Sequence, residues 1–200
     1  MKKSILLPII TIALAAAILL GLSFGLNGIA NANAQKEHLQ TMKWLVPGSE
    51  NFTVEPYDGE DAIIRSVHKG ETGFVIETVT RGYAADIVML IGVSNEGKVT
   101  GLTIRDMAEP PGLGMNALRD WEFLAQFLRT EGGVAIGSPD QEDAFSGATG
   151  EASTETETET YVDGISGATV TSKAIARCVN SAVAYVTGAD IDSGATSWGG

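Results

Sequence analysis

The passage from Asp163 to Thr187 constrains this chain most, because a turn of small residues there runs straight into a long amphipathic pattern. From Thr171 to Thr187, Ile175, Val179, Ala182, Val183 and Val186 fall on one helical stripe, and Gly188 supplies a C-terminal stop. Ahead of it, Asp163-Gly164-Ile165-Ser166-Gly167-Ala168-Thr169 sets hydroxyls and small residues at the mouth of the helix. Such a turn brings backbone N–H groups and a nucleophilic side-chain oxygen to one point, which suits a phosphate.

The segments before this helix read as strands. Gly73–Thr80 alternates Phe74, Ile76 and Thr78 against Val75, Glu77 and Val79. Ile87–Val93 is a nearly continuous apolar run, and Lys98–Arg105 resumes with Val99, Leu102 and Ile104. Asn95-Glu96-Gly97 between them has hairpin chemistry, so these two strands are expected as antiparallel neighbours. Glu109-Pro110-Pro111-Gly112-Leu113-Gly114 makes a rigid bend followed by a flexible one. Leu118, Trp121, Leu124, Ala125 and Leu128 then recur at helical spacing and predict a helix over Asn116–Arg129, ended by Gly132-Gly133. The pattern predicts an α+β domain with a mixed or antiparallel sheet and packed helices over 73–188, entered through a stalk at 35–72. Residues 138–160, whose Thr/Glu alternation has no apolar face, are expected to be a low-complexity loop, and 189–200 a flexible tail. Glu155, Glu157 and Glu159 lack the closing turn that a cation cage needs, so no metal site is expected.

At the front, Met1-Lys2-Lys3 precedes an uncharged stretch from Ser4 to Gln35, apolar in its first two thirds. A helix from Ser4 to Phe24 would span about 31 Å, the thickness of a hydrocarbon core. Residues 1–34 are therefore expected to be a single transmembrane anchor. The two lysines put its N-terminus in the cytoplasm and the domain on the far side of the cell (inner) membrane. Ala30-Asn31-Ala32 and Ala32-Asn33-Ala34 keep open a cleaved signal peptide; both readings export the domain. Without Lys2 and Lys3 the exported part carries 11 basic against 25 acidic side chains, which argues against nucleic acid and anionic lipid surfaces. The lone Cys178 excludes an internal disulfide and an iron–sulfur cluster held by this chain alone, and a C-x-x-C-H haem site is missing. Any electron carrier here must be organic.

The turn's spelling recurs at Asp143–Thr149 and Asp190–Thr196. An acceptor site needs an exposed hydroxyl, a backbone that a phosphate can approach, a helix N-terminus and a scaffold. Thr169 meets all four, and Thr171 and Ser172 can cap the following helix while Ile165 and Val170 tie the turn to a core. Thr149 runs into the Thr/Glu tract, and Thr196 sits near the chain end, where fraying is expected. For any one copy the alternative is a small-residue turn that simply caps a helix.

From about Gly73 to Thr187 the chain resembles the FMN-binding domain family, as found in one component of Rnf electron-transport complexes and its quinone-reductase relative. The resemblance rests on Gly73-Phe74-Val75-Ile76-Glu77, Arg81-Gly82-Tyr83, Gly97-Lys98-Val99-Thr100-Gly101, Glu109–Gly114 and Asp163–Thr169 with Val170-Thr171-Ser172. It implies FMN joined through a phosphoester to Thr169 by a flavin transferase, with Asp163, Ser166, Gly167 and Ala168 forming the motif that enzyme reads. Gly112, Leu113 and Gly114 match a loop that lies near the flavin in the family; Pro110 stands where the family usually has threonine. Trp121 and Phe123 are read as core rather than as flavin-stacking residues, and His38 and His68 as surface residues. The resemblance further implies an electron carrier among other Rnf-complex subunits, coupling ferredoxin:NAD+ electron transfer to Na+ or H+ movement. It would be a non-catalytic subunit of an oxidoreductase. Two other readings are a stand-alone anchored or secreted FMN protein serving an extracytoplasmic reductase or quinone, and a flavin-free surface binding module.

Overall fold

The computed structural model describes residues 33–110, 114–137 and 160–189. Two compact units divide between Thr41 and Met42. Residues 33–45 are helical (α1), and in the first unit Thr41 Oγ1 donates to the Glu37 carbonyl at 3.0 Å.

In the second unit, strands β1 (Thr53–Glu55), β2 (Ile64–Lys69), β3 (Gly73–Arg81), β4 (Asp86–Ser94) and β5 (Val99–Asp106) form an antiparallel meander in chain order. The three strands expected from the pattern are β3 to β5, and Gly97, at φ 86°, turns β4 into β5. The segment 35–72 also supplies β1 and β2. Only Ile64 and Val67 of β2 are buried among Arg65, Ser66, His68 and Lys69, so its alternation is weak in the sequence.

β4 is buried on both faces. Ile87, Met89, Ile91 and Val93 point to one side, where α4 (Thr169–Thr187) lays Ile175, Val179, Ala182 and Val183 against them and against Ile76. Each of these side chains, Ala182 excepted, contributes about 1.5–3 kcal/mol by leaving water. On the other side Met42, Leu45 and Val46 cover Val75 and Leu90. Gly92 and Gly101 pair across β4 and β5 beneath Leu45. A Cβ on Gly92 would strike the Leu45 carbonyl, to which Thr100 Oγ1 donates at 2.5 Å.

The single helix expected over Asn116–Arg129 is instead two short ones, α2 (Gly114–Arg119) and α3 (Trp121–Ala125), followed by a turn. Asp120 makes the break: its Oδ1 accepts from the Phe123 N–H at 3.1 Å and caps α3. Phe123 and Phe127 are consequently buried, with rings edge-to-face at 5.2 Å. Trp121 is 62% exposed, which corrects its reading as core, whereas Phe123 is core as expected.

β6 (Val134–Ile136) and β7 (Thr160–Val162) pair in parallel as a separate two-stranded sheet. Asn180 of α4 clamps β6: its Oδ1 accepts from Val134 N at 2.9 Å and its Nδ2 donates to Val134 O at 3.0 Å. This pair delivers the chain to the head of α4. The expected span Ser4–Phe24, residues 138–159 and residues 190–200 lie outside the described residues. Among the described residues no helix is long and apolar enough to cross a membrane.

Candidate functional site: the turn at the head of the long helix

Asp163 leaves β7 exposed, its N–H donating to Gln126 Oε1 at 3.0 Å. The chain then closes a tight turn in which Ala168 N donates to Ile165 O at 2.9 Å. Gly167 takes φ 80° at the position where such a turn needs a positive angle, and nothing lies within 4 Å of where its Cβ would be. Ser166 and Gly167 are exposed, and Ile165 packs against the core. Val170 is 44% exposed, so Ile165, and not Val170, ties the turn down.

α4 starts at Thr169, two residues before the pattern predicts, with the buried Ala168 as N-cap and no side-chain cap bond. Its first backbone N–H groups have no intrahelical acceptor and carry the positive end of the helix dipole. Thr169 is exposed at the first helical position, so its hydroxyl stands in solvent beside these donors.

The expectation that Thr171 and Ser172 cap the helix is corrected by this earlier start. Both fall inside the first turn and are fully buried. Ser172 Oγ donates to Ala168 O at 3.0 Å and accepts from Ile165 N at 3.4 Å, bracing the turn from within. Thr171 Oγ1 is buried without a hydrogen-bond partner among the described residues.

Gly114, the first residue of α2, meets this helix directly. A Cβ there would run into Glu109 Oε2 and lie 2.5 Å from Thr171 Oγ1. Gly112 and Leu113 lie outside the described residues. Glu109 is 3% exposed; its Oε1 accepts from Ala84 N at 3.1 Å and Ala85 N at 3.3 Å, and its Oε2 is buried without a partner among the described residues. A buried polar group left unsatisfied costs about 1–3 kcal/mol, so two beside one glycine mark a place not finished for stability. In the sequence Glu109 reads only as the first residue of the bend and of the family-like loop; its burial is not legible there, because most glutamates are solvated. Further along α4, burial pushes the Cys178 thiol up to about 11, which removes it as a nucleophile at neutral pH.

An exposed hydroxyl among free N–H groups, in a backbone with little side-chain bulk, defines a domain that can present a threonine to a phosphoryl group. The FMN-binding domain family matches residues 82–184, a span that takes in β4, β5, Glu109, Gly114 and the turn itself. The chain belongs to the FMN-binding domain family. It is 33% identical over 114 residues to the G component of the Na(+)-translocating ferredoxin:NAD(+) oxidoreductase complex of Acetobacterium woodii, covering 56% of this chain and 47% of that protein. The chain thus spans about half the length of that relative. It is 27% identical over 196 residues to the G component of the ion-translocating oxidoreductase complex of Methanosarcina acetivorans, covering 91% of this chain and 93% of that protein. The crystal structure of Shewanella oneidensis NqrC is similar at a TM-score of 0.43 and 15% identity, over 72% of this chain and 73% of that one.

Proposed function

We propose that this chain is a flavoprotein subunit that carries FMN as a phosphoester on Thr169 and relays electrons within an Rnf-type complex. That complex couples ferredoxin:NAD+ electron transfer to the movement of Na+ or H+. The observation that carries the reading is Thr169 itself, exposed at the first position of α4 in a member of the FMN-binding domain family. The names of the relatives support the complex and its other subunits as partners.

When bound, FMN supplies one- and two-electron chemistry at its ring. The residues of this chain attach it and hold its phosphate. During maturation by a flavin transferase, Thr169 Oγ1 forms the bond to the FMN phosphorus of FAD and gives up its proton. The pyrophosphate P–O bond breaks and AMP leaves, with no change of oxidation state. The N-terminus of α4 stabilises the phosphate charge by about 0.3–1 kcal/mol, and Gly167 and Ala168 let it approach the backbone. Asp163 and Ser166 are exposed and available to be read by the transferase. Ser172 braces the turn, and Gly114 borders it through Thr171.

A covalent tether suits a domain on the extracytoplasmic side, where lost FMN would not be replaced from the cytoplasm. We extend the reading to an anchor at Ser4–Phe24 with a cytoplasmic N-terminus, on the strength of that segment's length and flanking lysines. Coexpression with a flavin transferase should give an intact mass raised by one FMN less water, and a full chain that copurifies with other complex subunits. An unmodified chain would contradict the flavin reading. A flavinylated chain found alone in its native membrane would favour a stand-alone carrier.

A further inference from the structure

We infer that Glu109 is a positioning residue for the acceptor threonine and acts through Thr171; this rests on Thr169 being the site of attachment. Three segments distant in sequence meet at the Glu109 carboxylate. Its Oε1 is fixed by the Ala84 and Ala85 N–H groups, and Gly82 is bare where a Cβ would strike that same oxygen. Its Oε2 lies against Gly114, as does Thr171 Oγ1, and both of these oxygens are buried and unpartnered among the described residues. A carboxylate oxygen accepts and a threonine hydroxyl donates, so the two are chemically complementary across the one residue that has no side chain to separate them.

Thr171 is the third residue of α4 and Thr169 the first. The turn before them has an alanine cap and an unconstrained Gly167, leaving Ser172 as its internal brace. Neither oxygen is bonded to the other in this structure; a hydrogen bond from Thr171 Oγ1 to Glu109 Oε2 would add a second brace from outside the helix. It would connect the Gly82–Ala85 turn and the start of α2 to the face of α4 opposite the exposed Thr169 hydroxyl. The role is geometric: glutamine has a carbonyl for the Ala84 and Ala85 N–H groups and an NH2 that can donate to Thr171 Oγ1. A general base would not survive that replacement.

The test is the initial rate of FMN transfer from FAD onto the full chain by the flavin transferase, measured below the melting temperature of every variant. Glu109→Ala and Thr171→Val should each slow transfer by about 100-fold, the scale of a misplaced reacting group. The double variant should be no slower than the slower single one, because each change removes one side of the same inferred bond. Glu109→Gln should stay within about threefold of wild type. Val183→Ala, a buried residue in the other half of α4, should lower the melting temperature without slowing transfer. The inference is overturned by near-normal rates in Glu109→Ala or Thr171→Val, by multiplicative losses in the double variant, by a Glu109→Gln defect as large as that of Glu109→Ala, or by equal slowing in Val183→Ala. A wild-type chain that takes no FMN at Thr169 instead overturns the functional reading beneath it.

Discussion

At its C-terminal end α4 stops on Gly188 at φ 68°, whose N–H donates to Ala184 O at 2.8 Å. Thr187 Oγ1 donates to Val183 O at 3.1 Å and accepts from Ala189 N at 3.3 Å. Tyr185 donates to Glu55 Oε2 at 3.1 Å and packs edge-on against Tyr57 and Phe74. At its N-terminal end the same helix has an alanine cap without a side-chain bond, an exposed threonine, and a neighbouring pair of buried oxygens without partners among the described residues. Omitting a Ser, Thr, Asp or Asn cap forgoes about 0.5–2 kcal/mol. The unfinished end is the one at which the proposed attachment would use free N–H groups and an accessible hydroxyl, and the closed end is the one to which no attachment is assigned. Local rules of this kind are broken at functional sites and kept elsewhere.

The largest expected effect tests whether the two ends belong to one cooperative body. Cys178 lies between them, and burial raises its thiol from the ordinary 9.0 to about 11. Between those values the unfolded chain has lost a proton that the folded chain keeps. The contribution is whole below pH 9.0 and is lost as pH rises through about 11, amounting to about 2–3 kcal/mol. Denaturant unfolding followed across that window should show this fall, and Cys178→Ala should reduce it, leaving the smaller part from Tyr185, whose hydroxyl is also pushed up by burial and by Glu55. An unchanged slope in the variant would assign the pH dependence elsewhere.

Next in size is a matched pair of glycine changes. Gly167 and Gly188 both have positive φ and open space around a Cβ, so Gly167→Ala and Gly188→Ala should each cost about 1–2 kcal/mol from backbone strain alone. Only Gly167→Ala should also lower FMN incorporation. Equal incorporation in both would mean that the conformation of the turn is irrelevant to attachment. Smallest is Tyr185→Phe, which removes a half-exposed hydrogen bond at the closed end. We expect about 0.5 kcal/mol in chemical denaturation and unchanged incorporation.

Much of this architecture was legible in the sequence, and the reason differs by element. β3 and the stripe of α4 declare themselves because a buried side imposes a period on the residues, and β4 because burial on both faces makes it a nearly continuous apolar run, which the Asn95-Glu96-Gly97 turn joins to β5. β2 does not, having only Ile64 and Val67 to offer the core. The break at Asp120 was hidden because a continuous helix and two short helices place apolar residues at similar spacing; the capping aspartate decides between them and shifts burial from Trp121 to Phe123 and Phe127. At the site, spelling and a following helix pointed to Thr169, and the structure puts it at the helix head. The inward roles of Thr171 and Ser172 depend on where the helix starts, and sequence patterns fix such boundaries poorly. Glu109 depends on contacts across the chain that no local pattern encodes.

The central claim is that context at the head of α4, and not the motif alone, selects the flavin attachment site. It is tested most directly by peptide mapping of the full chain after coexpression with a flavin transferase. Wild type, Thr169→Ala, Thr149→Ala and Thr196→Ala should be compared side by side. We predict one FMN, on the peptide containing Thr169, absent in Thr169→Ala and retained in the other two variants. FMN on the peptides containing Thr149 or Thr196, or an adduct that survives Thr169→Ala, would contradict it.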